Sequence, residues 1–262
     1  MIALLTGIAS MIPSDEARAG AWTKEKGDGA VIVTIGRQAT PSTLLTLGPA
    51  SDDKATAQIY AEYGLFDGIT VGASLFSETR IGDAGMQASA NAAGFLRFRL
   101  HKDDQGNVAA VQIGGALPVE SLLGGPFGGS NPDSTAEVRL SALAGTSWWG
   151  DWGSVFVTSA IGGAWRSEGA ADEIRAELTA GYKTGDCCMV ILGNFVTVPL
   201  IGRDSEDTIA WKLSPSFAYS LPPLWGEATP DTPRKTTLQL GATLEPMNNQ
   251  DIGVTFSVWR RF

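Results

Sequence analysis

The last eleven residues, Ile252–Phe262, constrain the fold more than any other stretch of the chain. Read back from the terminus, Phe262, Val258, Phe256, Val254 and Ile252 share one face of an extended strand. Trp259, Ser257, Thr255 and Gly253 share the other. Side chains alternate across a strand with period 2, so one face is apolar and the other mostly polar. The sequence then stops on an aromatic residue. A soluble edge strand gains little from this arrangement. A strand that meets lipid on one face and closes a sheet with its edge gains much, because its backbone groups then all find partners.

The same alternation recurs through the chain. Thr56–Leu65 sets Ala57, Ile59, Ala61, Tyr63 and Leu65 against Gln58, Tyr60, Glu62 and Gly64. Asp67-Gly68 follows, a strong hairpin signal, and Ile69–Glu78 alternates again. Gln87–His101, Val108–Val119, Thr135–Ser147, Ser154–Arg166, Asp172–Lys183, Thr208–Leu221 and Lys235–Glu245 read the same way. Ala30–Gly36 opens the series, and Met189–Val198 is apolar on both faces, so its register stays open. No stretch from Ala30 onward holds a helical period. Strands of about ten residues separated by turns are the pattern of a transmembrane barrel, whereas soluble sandwich strands run nearer ~5–6. The mean hydropathy of +0.04 suits faces that alternate between lipid and lumen. The expected fold is all-β, an antiparallel up-and-down transmembrane β-barrel of about twelve strands over residues 20–262.

The C-terminal stretch resembles the signature of bacterial outer-membrane β-barrels, a terminal Phe preceded by apolar residues at alternate positions. It departs at Arg260, where that family usually has an aromatic. The resemblance implies that Phe256, Val258 and Phe262 act in barrel closure and as an assembly signal. It also implies outer-membrane lipid and the barrel-assembly machinery as partners, and the bacterial outer membrane as location. The hairpin Glu62–Gly72 resembles one recurring in small proteobacterial outer-membrane barrels, some grouped with transporters near aromatic-degradation pathways.

Export requires a leader. Met1–Ile12 is apolar and too short to span a bilayer as a helix, which needs about 20 residues. Ala17-Arg18-Ala19 and Ala19-Gly20-Ala21 are small-x-small sites of the kind a signal peptidase cuts. Residues 1–19 are expected to be a signal peptide, with cleavage after Ala21 as the variant. An even strand count puts both termini in the periplasm. Short turns then fall on that side at Phe66–Gly68, Lys102–Asn107, Trp148–Gly153 and Thr184–Asp186, and longer connections at Arg37–Ala55 and Glu120–Ser134 fall outside. Pro222–Arg234 runs against this asymmetry, being long on the periplasmic side. Tryptophans at Trp148, Trp149, Trp152, Trp165, Trp211, Trp225 and Trp259 sit near strand ends, as an interfacial girdle does.

Chemistry concentrates on one face. Glu62, Arg97, Arg99, Glu137, Arg139, Glu173, Arg175, Glu177, Lys183, Lys212 and Glu245 lie on predicted lumen faces, with almost no charge on the apolar faces. Both signs occur together, as an ion-pair network filling the lumen or as charges selecting solutes. Eight strands leave an interior that side chains fill and sixteen leave an open channel, so twelve decides nothing. The net charge of −9 argues against nucleic acid as a partner. The single histidine, His101, has no nucleophile motif around it, and no Cys/His spacing suggests a metal. Adjacent Cys187 and Cys188 read as structural or incidental, since a disulfide between neighbours closes a strained ring. The chain is therefore expected to be a barrel without enzymatic activity, cofactor or metal. It reads as a narrow channel for passive passage of small solutes. The alternative is a non-conducting barrel that anchors or assembles with a secretion or surface structure.

Overall fold

The computed structural model describes residues 20–39, 53–82, 85–119, 136–167, 171–185, 187–200, 209–221, 236–246 and 252–262; of 81–82 and 85–87 it describes the backbone only. The expected leader, the 120–134 loop and the whole of Pro222–Arg234, Trp225 included, lie outside these residues.

Twelve strands form: β1 Gly29–Ala39, β2 Asp53–Phe66, β3 Ile69–Gly82, β4 Gly85–Lys102, β5 Val108–Pro118, β6 Glu137–Gly150, β7 Gly153–Arg166, β8 Glu173–Thr184, β9 Cys188–Pro199, β10 Ala210–Ser220, β11 Thr236–Leu244 and β12 Ile252–Arg261. Each pairs antiparallel with its sequence neighbours, and β1 pairs with β12, so the sheet is a closed barrel without an edge. Closure satisfies the backbone groups that lipid cannot solvate. The β1–β12 ladder runs from Ala30 opposite Arg261 to Ala39 opposite Ile252. Phe262 extends it by exchanging two backbone hydrogen bonds with Gly29, at 2.9 and 3.1 Å. A side chain at position 29 would occupy the space of the Phe262 ring.

Strands β1–β4, β6, β7 and β9 are longer than the alternation alone suggested, and β5, β10, β11 and β12 are shorter. β1 continues through Arg37 and β2 starts at Asp53, so the ends of the expected Arg37–Ala55 loop are ladder. There Arg37 and Asp53 form an ion pair at 2.7 Å. The expected turn at Trp148–Gly153 shrinks to Asp151-Trp152, with Trp148 and Trp149 in β6. The β2–β3 turn is Asp67-Gly68, with Gly68 at φ +83°, a conformation glycine adopts without strain. Ladders are continuous apart from bulges at Gly64/Phe66 and Arg99/His101 and a gap between β10 and β11. In that gap Leu213 pairs with Leu244, but pairing resumes only at Ser216 opposite Gly241. Pro215 lies in between and has no N–H to donate.

The two faces separate as the period-2 reading requires. Val33, Ile35, Ile59, Leu75, Val138, Leu140, Ile161, Trp165, Leu192, Phe217, Leu240, Val254 and Phe256 are all exposed on the outer wall. Charged residues lie mostly on the inner wall. On β9 the open register is settled by both neighbours: Val190 and Leu192 point outward, and Met189 and Ile191 are buried inside. Trp211 is outward, its Nε1 donating to Asn194 Oδ1 at 2.7 Å. Trp259 departs from the girdle expectation. It is on the inner face, packed against the apolar cluster of the lumen.

Candidate functional site, the barrel lumen

The segment that precedes β1 turns into the barrel at the end where β1 begins and β12 ends. Ala21 and Trp22 are buried there, in a cluster with Val108, Ala110, Leu143, Phe156, Met189, Ile191 and Ala218. These partners come from β5, β6, β7, β9 and β10, which surround more than one side of the barrel. Trp22 therefore stands inside the lumen. Its ring meets Phe156 edge-on, with centroids 6.4 Å apart at 82°. Gly145 makes room for it, since a Cβ there would touch the Trp22 ring at 3.0 Å.

Polar ties hold the same segment. The Lys24 backbone N–H donates to Thr70 Oγ1 at 2.7 Å, and Lys24 Nζ sits 3.1 Å from Glu62. Arg97 Nη1 donates to the Trp22 carbonyl at 3.2 Å and lies 3.6 Å from Glu62. Arg97 Nε and Nη2 donate to Gln112 Oε1 at 3.1 and 2.9 Å. The guanidinium stands 5.1 Å over the Phe95 ring, which stacks on Tyr60, and Tyr60 donates its hydroxyl to Glu62 at 2.9 Å. Arg97 is 5 % exposed, so its charge is stable there only because a carboxylate and several acceptors surround it. Lower down, Gly27 N–H donates to the Gly64 carbonyl and Gly64 N–H to the Asp28 carbonyl, both at 2.9 Å. Gly64 must be glycine for this, because a Cβ would collide with the Glu25 carbonyl.

The opposite end of the lumen is built differently. Glu137 begins β6, Arg166 ends β7, and Glu173 and Arg175 begin β8, so strand ends bring them together. Arg175 Nη2 lies 2.9 Å from Glu137 and 2.6 Å from Glu173. Arg166 reaches Glu173 at 2.8 Å, and Arg139 pairs with Glu137. The Arg139 side chain is 42 % exposed, whereas the Glu137 and Glu173 carboxylates beneath it are buried. Glu177 lies farther along β8, exposed to the lumen and without an ion pair among the described residues. Arg97, Arg139 and Arg175 are all within its electrostatic reach.

The eleven lumen charges read from the sequence thus do not form one network. Glu62 and Arg97 join the N-terminal segment at one end. Glu137, Arg139, Glu173 and Arg175 cluster at the other. Arg99 packs beside Gly68 at the β4 bulge, Lys183 is buried at the terminal end of β8, and Lys212 is exposed on β10. Glu245 lies one residue beyond β11. Hydroxylic and amide side chains pair along the wall from β10 to β1, with Thr34 on Ser257 at 2.8 Å and Gln239 donating to Ser216 at 2.6 Å. Sequence reading missed Trp22, Lys24, Thr70 and Gln112 as parts of the site. The signal available was a Trp, two Lys and a Gly-Asp-Gly run between the cleavage sites and the first strand.

His101 is exposed and faces Asp103 at 4.0 Å in the β4–β5 turn region. Asp103 organises that turn. Its carboxylate accepts from the Asn107 side chain and backbone and from Gln105 N–H, and these bonds, led by the Asn107 side chain, hold its pKa below the usual carboxylate value. Among the described residues no group of three or more His, Cys, Asp or Glu could hold a metal ion.

A closed antiparallel barrel of twelve strands, apolar outside and polar inside, is a transmembrane barrel of the bacterial outer-membrane class. The solved structures similar to this chain agree. A KdgM porin matches with a TM-score of 0.51 at 7% identity, over 88% of this chain and 99% of that one. An outer membrane channel from Pseudomonas putida F1 matches with a TM-score of 0.54 at 14% identity, over 96% of this chain and 100% of that one. No protein-family model matches the chain, and no curated protein matches it. The likeness is one of fold.

Proposed function

We propose that this barrel is a narrow channel for passive passage of small solutes across the outer membrane, with residues 20–28 setting its resistance at the periplasmic end. One observation carries the reading. Exposed charges, Glu177 and Arg139, line the lumen beyond the segment, while the segment itself lies at the other end, tied in by a few named bonds. A wet lumen lined with both charge signs suits small polar solutes. The fold similarity to a porin and a channel supports the same reading. No chemistry is assigned to the lumen, so the proposal includes no enzymatic role.

The proposal extends to processing and assembly. Cleavage after Ala19 leaves the new ammonium on exposed Gly20, whereas cleavage after Ala21 would leave it on Trp22 within the apolar cluster. Burying an unpaired charge there is costly, so residues 1–19 are taken as the leader. Phe256, Val258 and Phe262 are taken as the signal read by the barrel-assembly machinery.

Planar-bilayer conductance of the refolded chain and of a chain lacking residues 20–28 tests the proposal. We expect small, discrete steps from the first and larger ones from the second. The buried segment also suits the alternative, a non-conducting barrel that anchors or assembles with a surface structure. Silence from both chains establishes that alternative.

A further inference from the structure

Outside the lumen the described residues offer one reactive pair. Cys187 and Cys188 are the only cysteines in the chain, so an intramolecular disulfide has a single possible pairing. Sequence adjacency argues against a stapling bridge, since neighbouring Cα atoms lie about 3.8 Å apart, short of the usual ~4.4–6.8 Å. The fold adds what adjacency lacks. The two sulfurs face each other at 2.6 Å, and both residues are half-exposed. The Cys187 carbonyl accepts from Ser220 N–H at 2.7 Å, which ties the turn to the end of β10. The turn joins β8 to β9 at the end where β1 begins and β12 ends. In an outer-membrane barrel that end faces the periplasm, where thiols meet an oxidising environment.

We propose that Cys187 and Cys188 are a redox-active vicinal pair, cycled between dithiol and ring disulfide by exchange with a disulfide-bearing periplasmic oxidoreductase. One cysteine thiolate attacks the S–S bond of the oxidant and displaces one of its sulfurs as thiolate. The second cysteine thiolate attacks the resulting mixed disulfide and displaces the other. The chain loses two electrons and two protons, and the oxidant leaves as a dithiol. The ring encloses no chain beyond the two residues, so it removes almost no entropy from the unfolded state and does not serve as a staple. The short Cα separation makes the bond readily reducible, which suits cycling.

Whole cells quenched in acid, alkylated with N-ethylmaleimide under denaturing conditions and digested give the test. The peptide spanning the pair should be unlabelled and lighter by the mass of two hydrogens. Mild dithiothreitol on the folded protein should restore labelling of both sulfurs. Cells lacking their periplasmic thiol oxidase should yield the doubly labelled peptide without reduction. Cys187→Ser should leave Cys188 fully labelled in every condition. Double labelling in wild-type cells overturns the proposal. So does a disulfide-linked dimer on non-reducing electrophoresis, or a bond that resists mild reductant.

Discussion

The two ends of the lumen use the same side chains to opposite effect. At the periplasmic end Arg97 is 5 % exposed, and its ion pair with Glu62 sits beside a tryptophan cluster packed like a protein interior. At the outer end the Arg139 side chain is 42 % exposed, and its partner Glu137 shares Arg175. Charges in a dry site depend on their partners, because removing one leaves the other without solvation. Charges that water reaches depend on them far less. Both ends thus hold buried carboxylates and differ in the guanidinium, enclosed at Arg97 and water-facing at Arg139, although both read in sequence as Glu and Arg on an inward face.

The largest effect is expected at Arg97. Arg97→Ala leaves Glu62 only Lys24 and the Tyr60 hydroxyl and frees both the Trp22 carbonyl and Gln112, buried losses that together reach up to about 3–5 kcal/mol. Urea unfolding in detergent or lipid should show that loss, with raised conductance from whatever chain folds. A variant as stable as the parent would mean that water already fills the periplasmic end. Trp22→Ala comes next. Emptying a buried tryptophan site costs about 3–5 kcal/mol where it cannot collapse. Here the cost falls partly on docking of the segment, so larger conductance steps should outweigh the fall in unfolding midpoint.

Arg139→Ala should act on selectivity instead. Glu137 keeps Arg175, and the loss is expected to stay within about 1 kcal/mol. The reversal potential in a salt gradient should shift toward cation preference. A destabilisation as large as that of Arg97→Ala would erase the distinction between the two ends. The smallest effect lies in the β4–β5 turn, outside both. The Asp103 carboxyl is held below its ordinary value, chiefly by the Asn107 side chain, so its bonds require the carboxylate. Their contribution is complete above the unfolded-state value of about 4 and is lost as the pH falls through the lower folded value. Amide exchange at Gln105 and Asn107 should rise over that acid range, and Asn107→Ala should move the rise to higher pH.

Much of this fold is legible in the chain. Strand length, the period of 2 and the Asp67-Gly68 turn depend on residues within a few positions of each other. They carry strand existence, facing everywhere but along Met189–Val198, and closure through the last strand. The ends of β1 and β2 were less legible, because polar Arg37 and Asp53 read as loop until they face each other across a ladder. The site was legible only as a set of inward charges.

Which charges meet was decided by the tertiary structure. Glu62 and Arg97 stand on strands β2 and β4, and their partner Lys24 precedes the barrel altogether. Alternation says which face a side chain takes, but not which end of the lumen a distant segment will enter. Met189–Val198 shows the same limit. Both its faces are apolar, and only pairing with β8 and β10 settles that Met189 and Ile191 turn inward, into the cluster that holds Trp22, while Val190 and Leu192 meet lipid. Local pattern set the wall, since a strand's facing follows from its neighbours in sequence. The contents of the lumen were set by closure, which alone brings β5, β6, β7, β9 and β10 around one tryptophan.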